Sequence, residues 1–340
     1  MNSDISDQEE NWGRVISLIQ KETDFVIAAH VLPDGDAIGS ILGLGLILKK
    51  LNKKTFLTWA NHLYVSPHFS FLPAVDLLRD ASECPVSPRN FIALDCGSVE
   101  RLGRLKDRFL AAENTVNIDH HRDNTSFAQR NIVDEKSAAC SEIIYTLARK
   151  LGVEVDQAIA TCLYTGIVTD TGRFQYANTT ARTFQIAAHL LEYSVNPSQI
   201  FRNVYESQSF GDIRLFGLAI YRAELLPELG IIYTTITQKD LDHTRTRLED
   251  TENLIDYLRA TKGIEVAVVF RELNGGVRVS MRSIGKVDVG RIAEEYGGGG
   301  HPLAAGFNSH QNLESTKNDL FQMISQYRLR PSGKSIKTDK

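Results

Sequence analysis

The heptapeptide HVLPDGD, residues 30–36, joins two apolar runs of different length. Phe25–Ala29, before it, is short and continuous, as is typical of a buried strand, whereas Ala37–Leu51, after it, is long enough for a buried helix. One imidazole and two carboxylates therefore lie between a strand end and a helix start, where open α/β sheets bind ligands. The pattern suggests a metal site, or equally a turn in which Asp36 caps the helix and His30 packs, and the rest of the chain has to decide between them.

The composition limits the classes of protein to which the chain can belong. Its 340 residues are enough for about two domains, and a hydrophobic share of 42% with 24% charged residues is typical of a globular protein. The net charge of -4 argues against a large non-specific nucleic-acid binder, but it permits a small anionic substrate in a locally positive pocket. Four dispersed cysteines without CxxC spacing indicate reduced side chains. Neither a signal peptide nor a membrane span is predicted, so we expect a cytoplasmic protein.

Strand and helix patterns alternate through the first half of the chain and predict a mostly parallel, helix-covered sheet. Residues 1–12 are expected to be loose at the start, with a first helix over Asn11–Lys21. Polar segments predict a domain boundary near 196–214, with a connecting helix around 213–225. The patterns beyond it predict a second, smaller α/β domain with a mixed sheet.

The predicted fold class is therefore α/β, with two α/β domains joined by a linker and a connecting helix. The first domain is predicted at residues 13–195, the linker and helix at 196–225, the second domain at 226–328, and a disordered polar tail at 329–340.

Three predicted strands of the first domain end in acids or histidines. Residues 30–36, Asp95 and residues 119–121 follow these strands, and Asp170 lies where a predicted helix ends. Because parallel strands share one carboxyl edge, we expect these residues to converge. So many carboxylates in one cleft require cations, and two divalent ions about 3.5–4 Å apart with one bridging carboxylate would neutralise them. Mixed imidazole and carboxylate ligands suit manganese, with magnesium, cobalt or iron as other occupants.

A two-metal centre of this kind binds a phosphate, lowers the pKa of a bridging water and supports in-line attack on phosphorus. Each residue taken singly has an ordinary explanation: a packed histidine at 120 or 121, a turn at Asp95, a helix stop at Asp170. Their joint occurrence at strand ends favours the metal centre.

Four consecutive glycines and a histidine, Gly297–His301, form the second distinctive stretch. Glycines let backbone N–H groups approach an anion, and we expect a helix to begin after the run, where its N-terminus would favour negative charge. A flexible linker is the alternative for any glycine run. Because this run lies inside a predicted folded region, beside Tyr296, we favour the anion site.

Taken together, these motifs resemble those of the DHH phosphoesterases. The stretches that carry the resemblance are HVLPDGDAIGS (30–40), ALDCG (93–97), NIDHH (117–121) and GIVTDTGRFQY (166–176). They look like the branch that contains the bacterial oligoribonuclease and 3′-phosphoadenosine 5′-phosphate phosphatase, or nanoRNase. The sequence GGGH (298–301) looks like the signature of the DHH-associated substrate-binding domain, so the resemblance covers roughly residues 13–327.

The resemblance implies a set of metal ligands. One ion would be bound by His30, Asp34 and Asp95, and the other by Asp36, Asp95, His120 and Asp170, with Asp95 bridging. Gly35 would let the backbone turn so that its two neighbours point at different ions.

The resemblance also implies catalytic and substrate-binding residues. Asp119 would orient a ligand by hydrogen bonding, and His121 would face the substrate phosphate, where it stabilises charge or helps to protonate the leaving oxygen. The active site would lie in an interdomain cleft that favours short substrates. The nucleotide would be held there by Arg282, Gly298, Gly299, Gly300 and His301.

The implied activity is a manganese-dependent hydrolysis of short RNA or DNA oligonucleotides to 5′-mononucleotides. Removal of the 3′-phosphate from 3′-phosphoadenosine 5′-phosphate, giving AMP, would be a second activity. The alternatives are a cyclic or linear dinucleotide phosphodiesterase and a non-catalytic nucleotide-binding module; GGGH argues against a manganese inorganic pyrophosphatase. A homodimer is one assembly that the sequence allows.

Three further glycines, Gly39, Gly43 and Gly45, lie in the first long apolar run. They lack GxGxxG spacing, which argues against a dinucleotide-binding oxidoreductase, and the run is too short for a membrane helix dimer. We expect them to allow close packing of a helix on a sheet.

Overall fold

A computed structural model of the chain describes residues 2–251 and 254–328, so the predicted tail at 329–340 lies outside the described residues. The chain divides into two compact units between Ser207 and Gln208. Each unit has its own sheet with helices around it, which confirms the predicted pair of α/β domains. Among the described residues, none of the helices combines the length and apolar composition needed to cross a bilayer.

The first unit alternates strands and helices as the patterns predict. Its elements are α1 (Asn2–Lys21), β1 (Asp24–Ala29), α2 (Gly35–Lys50), β2 (Lys54–Trp59), β3 (Asn90–Leu94), α3 (Lys106–Leu110), β4 (Asn114–Asp119), β5 (Arg130–Val133), α4 (Cys140–Lys150), α5 (Gln157–Asp170), α6 (Ala181–Leu191) and α7 (Pro197–Tyr205). A 3₁₀ segment, Val99–Leu105, precedes α3.

The strands of this unit form a parallel sheet in the order β2-β1-β3-β4-β5. Alternate side chains supply two cores, since successive residues of a strand point to opposite faces. Ile27 and Ile92 pack with α2, α4 and α5, whereas Ala28 and Phe91 pack with the 3₁₀ segment and α3. Burial on both faces explains why the strands are continuous apolar runs rather than alternating ones.

The second unit contains a mixed sheet. Its elements are α8 (Phe210–Tyr221), β6 (Glu224–Leu226), β7 (Ile231–Ile236), α9 (Gln238–Thr244), α10 (Leu254–Arg259), β8 (Val266–Leu273), β9 (Gly276–Ser283), α11 (Val289–Glu295), β10 (Gly299–His301), β11 (Ala304–Ser309) and α12 (Leu313–Arg328). The strand order is β10-β11-β9-β8-β7-β6, with β7 and β8 parallel and the other pairs antiparallel. Helices α11 and α12 cover one core and α8, α9 and α10 the other.

Two predicted boundaries and one predicted helix were wrong. Helix α1 begins at Asn2 instead of following a loose segment, and the acidic residues of that segment are a composition that the helix dipole favours near an N-terminus. The connecting helix ends at Tyr221, because residues 224–226 pair with β7 as β6. No helix begins after the glycine run, because Gly299–His301 forms β10 and turns back at once into β11.

The glycines of α2 permit close packing, but mainly against another helix rather than the predicted sheet. A Cβ at Gly39 would lie 2.5 Å from the carbonyl oxygen of Cys162 in α5, and one at Gly43 would meet Leu163 at 2.6 Å. Only Gly45 faces the sheet, against Leu57 of β2. Helices α2 and α5 therefore approach each other closely. Helix α2 begins, and helix α5 ends, beside the candidate site.

Gly39→Ala is expected to destabilise the protein by about 1–3 kcal/mol, because its methyl group would meet the backbone of α5, which cannot rotate away. The matched control is Gly217→Ala in α8, where no atom lies within 4 Å of the new Cβ. That change should stabilise by about 0.5–1 kcal/mol through helix propensity. Urea unfolding of both variants tests the contrast, and an equal effect at the two sites would contradict it.

Candidate metal centre

The structure brings the predicted ligands of the first unit together at the carboxyl edge of its sheet. His30 follows β1, Asp95 follows β3, and His120 follows β4, while Asp170 is the last residue of α5. His30 Nε2 lies 3.4 Å from Asp95 Oδ2, and His120 Nε2 lies 3.4 Å from Asp95 Oδ1. His120 Nε2 also lies 3.6 Å from Asp170 Oδ2 and 3.9 Å from Asp36 Oδ2. Asp95 is thus the carboxylate that both imidazoles approach.

The potential ligand atoms fall into compact groups. In each of the groups named here, the atoms lie within 4.8 Å of one another. The groups are His30 with Asp34 and Asp95, Asp36 with His120 and Asp170, and Asp95 with Asp119, His120 and His121. The first two groups together contain all six residues predicted as metal ligands.

Asp34 rather than Asp36 caps helix α2. Its Oδ1 accepts from the N–H groups of Asp36 and Ala37, both at 3.0 Å, so the alternative that placed Asp36 at the cap was wrong. Gly35 is needed for space and not for an unusual turn, since its φ is not positive and a Cβ would lie 2.5 Å from Thr169 Oγ1. The close approach of α5 therefore accounts for this glycine.

Asp36 is buried at the N-terminus of α4. Its Oδ2 accepts from the Cys140 N–H at 2.5 Å, and its Oδ1 accepts from the Ser141 N–H at 3.0 Å and the Ser141 hydroxyl at 2.6 Å. The Ser40 hydroxyl donates to Oδ1 at 3.2 Å. A helix N-terminus offers free N–H groups and a positive dipole end, so this position holds a carboxylate in one orientation.

The two histidines nearest Asp95 are held in matching tautomers. His120 Nδ1 lies 3.2 Å from the carbonyl oxygen of Ser137, and His30 Nδ1 lies 2.8 Å from that of Val31. A carbonyl oxygen only accepts, so each Nδ1 carries a proton, and each Nε2 faces the carboxylates, where it could bind a metal ion. Metal-binding histidines are commonly oriented by such a bond from the other ring nitrogen.

Asp119 and His121 form a buried pair beside these groups. His121 Nδ1 lies 2.7 Å from Asp119 Oδ1, and the Asn124 amide donates to Asp119 Oδ2 at 2.6 Å. Burial raises the pKa of Asp119, but the charge of His121 and its hydrogen bond outweigh this and lower the pKa to about 2. Asp119 is therefore an ionised hydrogen-bond acceptor that orients His121.

The electrostatics of the remaining groups fit a bound cation. Asp95 Oδ1 and Asp170 Oδ2 are buried and accept no hydrogen bond. Burial raises the pKa of Asp36 to about 7. Burial also raises the pKa of Asp170 well above its usual range. Burial lowers the pKa of His120, but Asp170 and Asp95 raise it well above the ordinary value. Buried carboxylates with unfilled oxygens are costly without a positive partner, and imidazole with carboxylate is a donor set for divalent metals.

Stabilisation by metal is expected to grow with pH. In the metal-free folded protein Asp36, Asp170 and His120 keep protons to higher pH than in the unfolded chain, so their contribution to stability falls as pH rises towards and beyond 7. A divalent cation displaces those protons, so its stabilising effect is larger where they are already lost. The difference in Tm between MnCl₂ and EDTA should therefore increase from about pH 6 to about pH 8.

The Asp36→Asn variant is the control for this titration, because it removes one of the carboxyl groups whose pKa is raised. The pH dependence of the metal-induced shift in Tm should become shallower in this variant. A metal-induced shift that is the same at both pH values in the original protein would contradict the prediction.

The predicted substrate residues lie in the second unit, on β9 and on or next to β10, with β11 between these strands. Arg282 of β9 is opposite Ala304 of β11, which is opposite His301 of β10. Directly opposed residues of antiparallel strands share a face, so Arg282 and His301 lie on one face of the sheet. Arg282 Nε is buried without a hydrogen-bond partner, 3.6 Å from Asp256 Oδ1.

The glycines of this hairpin are required by close backbone contacts. A Cβ at Gly298 would lie 2.2 Å from the carbonyl oxygen of Gly306, and Gly300 has a φ of 140°. Gly299 pairs with Gly306 in the strand ladder. Their conformation explains the glycine run without the helix dipole that we had expected to follow it.

Several residues of the first unit escaped sequence analysis. The carbonyl group of Ser137 and the first turn of α4 orient His120 and Asp36, and Arg101 approaches His121 with Nη1 3.4 Å from Nε2. These residues lie in a loop, at a helix start and in a 3₁₀ segment, where no repeat or strand end marks them. Arg101 lies shortly after Asp95 in the sequence, but only the fold shows that its side chain lies next to His121.

The sequence matches known protein families in both units. Residues 24–167 match the DHH family, N-terminal domain, and residues 229–328 match the DHHA1 domain. A bifunctional oligoribonuclease and PAP phosphatase, NrnA, of Thermus thermophilus is 36% identical over 84% of this chain and 84% of its own length. The Bacillus subtilis protein of the same name is 31% identical over 86% of this chain and 90% of its own length.

A solved structure agrees with the fold. The crystal structure of an exopolyphosphatase-related protein from Bacteroides fragilis superposes with a TM-score of 0.86 at 24% identity. The superposition covers 94% of this chain and 97% of that one. At this identity the likeness establishes a shared architecture through both units.

Proposed function

We propose a function from the premise that this chain belongs to the DHH family and carries a DHHA1 domain: it is a metal-dependent hydrolase of phosphoester bonds in short oligonucleotides. The products would be 5′-mononucleotides, and 3′-phosphoadenosine 5′-phosphate would be a second substrate, dephosphorylated to AMP. The substrates follow from the names of the relatives, which are bifunctional oligoribonucleases and PAP phosphatases. The observation that carries the proposal is the carboxylate and imidazole cluster around Asp95, with its buried unpartnered oxygens.

Two divalent ions, most simply Mn²⁺, are proposed as the cofactor, with ligands shared at Asp95. His30, Asp34 and Asp95 would hold one ion, and Asp36, Asp95, His120 and Asp170 the other. Such ions polarise the phosphoester and lower the pKa of an attacking water. The protein's own part is to fix the ligands: α4 orients Asp36, and the Ser137 carbonyl sets the tautomer of His120.

His121 is proposed to act on the phosphate or on its leaving oxygen. Asp119, ionised and hydrogen-bonded to Nδ1, fixes the ring so that Nε2 is the reactive nitrogen. A proton held there can be given to the departing ribose oxygen. Neutral His121 would instead accept a hydrogen bond, so both protonation states have a use during one turnover.

The second unit is proposed to bind the nucleotide. Arg282 supplies a guanidinium for a phosphate, and the hairpin with Gly298, Gly299, Gly300 and His301 supplies backbone N–H groups and an imidazole. The placement of Arg282 and His301 on one face of the same sheet, with β11 between their strands, supports a common binding surface within this unit.

A substrate panel tests the proposal. With MnCl₂, the protein should hydrolyse RNA and DNA dinucleotides and longer oligomers up to about pentamers, and release AMP from 3′-phosphoadenosine 5′-phosphate. Cyclic di-AMP, linear pApA and pyrophosphate form the comparison set. Turnover of pyrophosphate alone, or binding of dinucleotides without any hydrolysis, would refute the proposed activity.

A further inference from the structure

Arg101 is held between two of the strand-end motifs of the first unit. It lies in the 3₁₀ segment Val99–Leu105, and its carbonyl oxygen accepts from the N–H of Val31 at 2.9 Å, immediately after His30. Its half-buried side chain extends to His121, with Nη1 3.4 Å from Nε2. The backbone is thus tied to one motif while the guanidinium reaches another.

Among the described residues, no acidic side chain forms an ion pair with the guanidinium of Arg101. Within the described part of the chain, no carboxylate lies within 4.0 Å of its guanidinium, and the His121 ring is its side-chain hydrogen-bond partner. Arg104, in the same segment, differs: its Nε donates to the Ala60 carbonyl at 2.9 Å, and its Nη1 lies 3.9 Å from Asp80 Oδ1. An arginine carries five N–H donors in a planar fork, so most donors of Arg101 remain for a ligand.

The chemistry of this position is that of an anion partner. A guanidinium matches the geometry of a phosphate and binds it through two parallel hydrogen bonds. A fixed, half-buried cation beside the reacting group also stabilises the negative charge that develops during phosphoryl transfer. Asp119, the carboxylate bound to His121, is already engaged by His121 and Asn124.

We propose that Arg101 is a catalytic residue that binds a non-bridging oxygen of the phosphate under attack. This inference rests on the proposed function in one respect, that the substrate is a phosphoester. In the free protein its Nη1 lies 3.4 Å from His121 Nε2, so a phosphate oxygen that binds this nitrogen also lies beside the His121 ring.

The test compares Arg101→Met and Arg101→Lys with Arg104→Met, all in the Mn²⁺-loaded full-length protein. Calorimetry measures the binding of inorganic phosphate, and electron paramagnetic resonance measures Mn²⁺ affinity. In Arg101→Met, phosphate affinity should fall about tenfold or more and kcat about a hundredfold, with Mn²⁺ affinity unchanged. Arg101→Lys keeps a charge without the fork and should recover part of both losses, whereas Arg104→Met should resemble the original protein.

Unchanged phosphate affinity and kcat in Arg101→Met would overturn the inference, as would a loss of Mn²⁺ affinity in both Arg101 variants, which would indicate a structural role. Failure of the inference is distinguishable from failure of the proposed function. If the original protein cleaves oligonucleotides and Arg101→Met does so equally well, only the role of Arg101 falls. If the original protein cleaves none of them but its phosphate binding depends on Arg101, the role stands and the proposed substrates fall.

Discussion

Asp95→Asn is expected to reduce hydrolysis of a dinucleotide by about a thousandfold or more. Asp95 is the carboxylate that both His30 and His120 approach at 3.4 Å, and its buried Oδ1 accepts no hydrogen bond. The amide that replaces it has the same shape but no charge to share between two cations. Lewis-acid polarisation contributes several kcal/mol, and each 1.4 kcal/mol is a factor of ten in rate.

The loss should be accompanied by lower metal content, measured by inductively coupled plasma mass spectrometry after gel filtration. Asp107→Asn, on the exposed face of α3, is the matched control and should leave both rate and metal content unchanged. If Asp95→Asn kept a tenth or more of the original rate, the shared ligand would have to be sought elsewhere.

His121→Asn is expected to lower kcat by about a hundredfold to ten-thousandfold while leaving Mn²⁺ binding intact. The reason is the different surroundings of two adjacent imidazoles. His120 directs Nε2 at Asp36, Asp95 and Asp170, as a metal ligand would, whereas His121 uses Nδ1 to bind Asp119. Removal of His121 would therefore delete the proposed proton donor or charge stabiliser and none of the proposed ligands.

His120→Asn is expected to show the opposite result. Its affinity for Mn²⁺ should fall, and the accompanying loss of rate should be partly recovered at high MnCl₂ concentration. The rate of His121→Asn should not recover at any MnCl₂ concentration. Equal loss of metal affinity in the two variants would contradict this division of roles.

The convergence of the candidate ligands was predictable because it follows from topology. Once Phe25–Ala29 and the runs before Asp95 and Asp119 are taken as parallel strands, their following residues must lie at one edge. The parallel sheet and the pair of α/β domains follow from the same patterns. Candidate ligands that follow parallel strands can therefore be recognised from a single sequence.

The supporting interactions were not predictable, because they are made by backbone N–H and C=O groups, whose presence does not depend on the type of side chain. The Ser137 carbonyl and the Cys140 N–H contribute nothing to a motif, yet they orient His120 and Asp36. The helix expected after the glycine run was wrong for a related reason: glycine fits both a loop before a helix and a tight hairpin, and the close approach of Gly298 to Gly306 belongs to the hairpin. Only long-range proximity separates such alternatives.

The bonds from α4 to Asp36 make two backbone amides into built-in reporters of the centre. The N–H groups of Cys140 and Ser141 donate directly to the carboxylate, so their ¹H and ¹⁵N chemical shifts follow its charge. Titration of metal-free protein should shift both resonances together near pH 7, where the pKa of Asp36 lies. Zn²⁺ or Mg²⁺, which are diamagnetic, should abolish that shift on binding. Occupancy could then be read from two peaks, without substrate, turnover or an attached label.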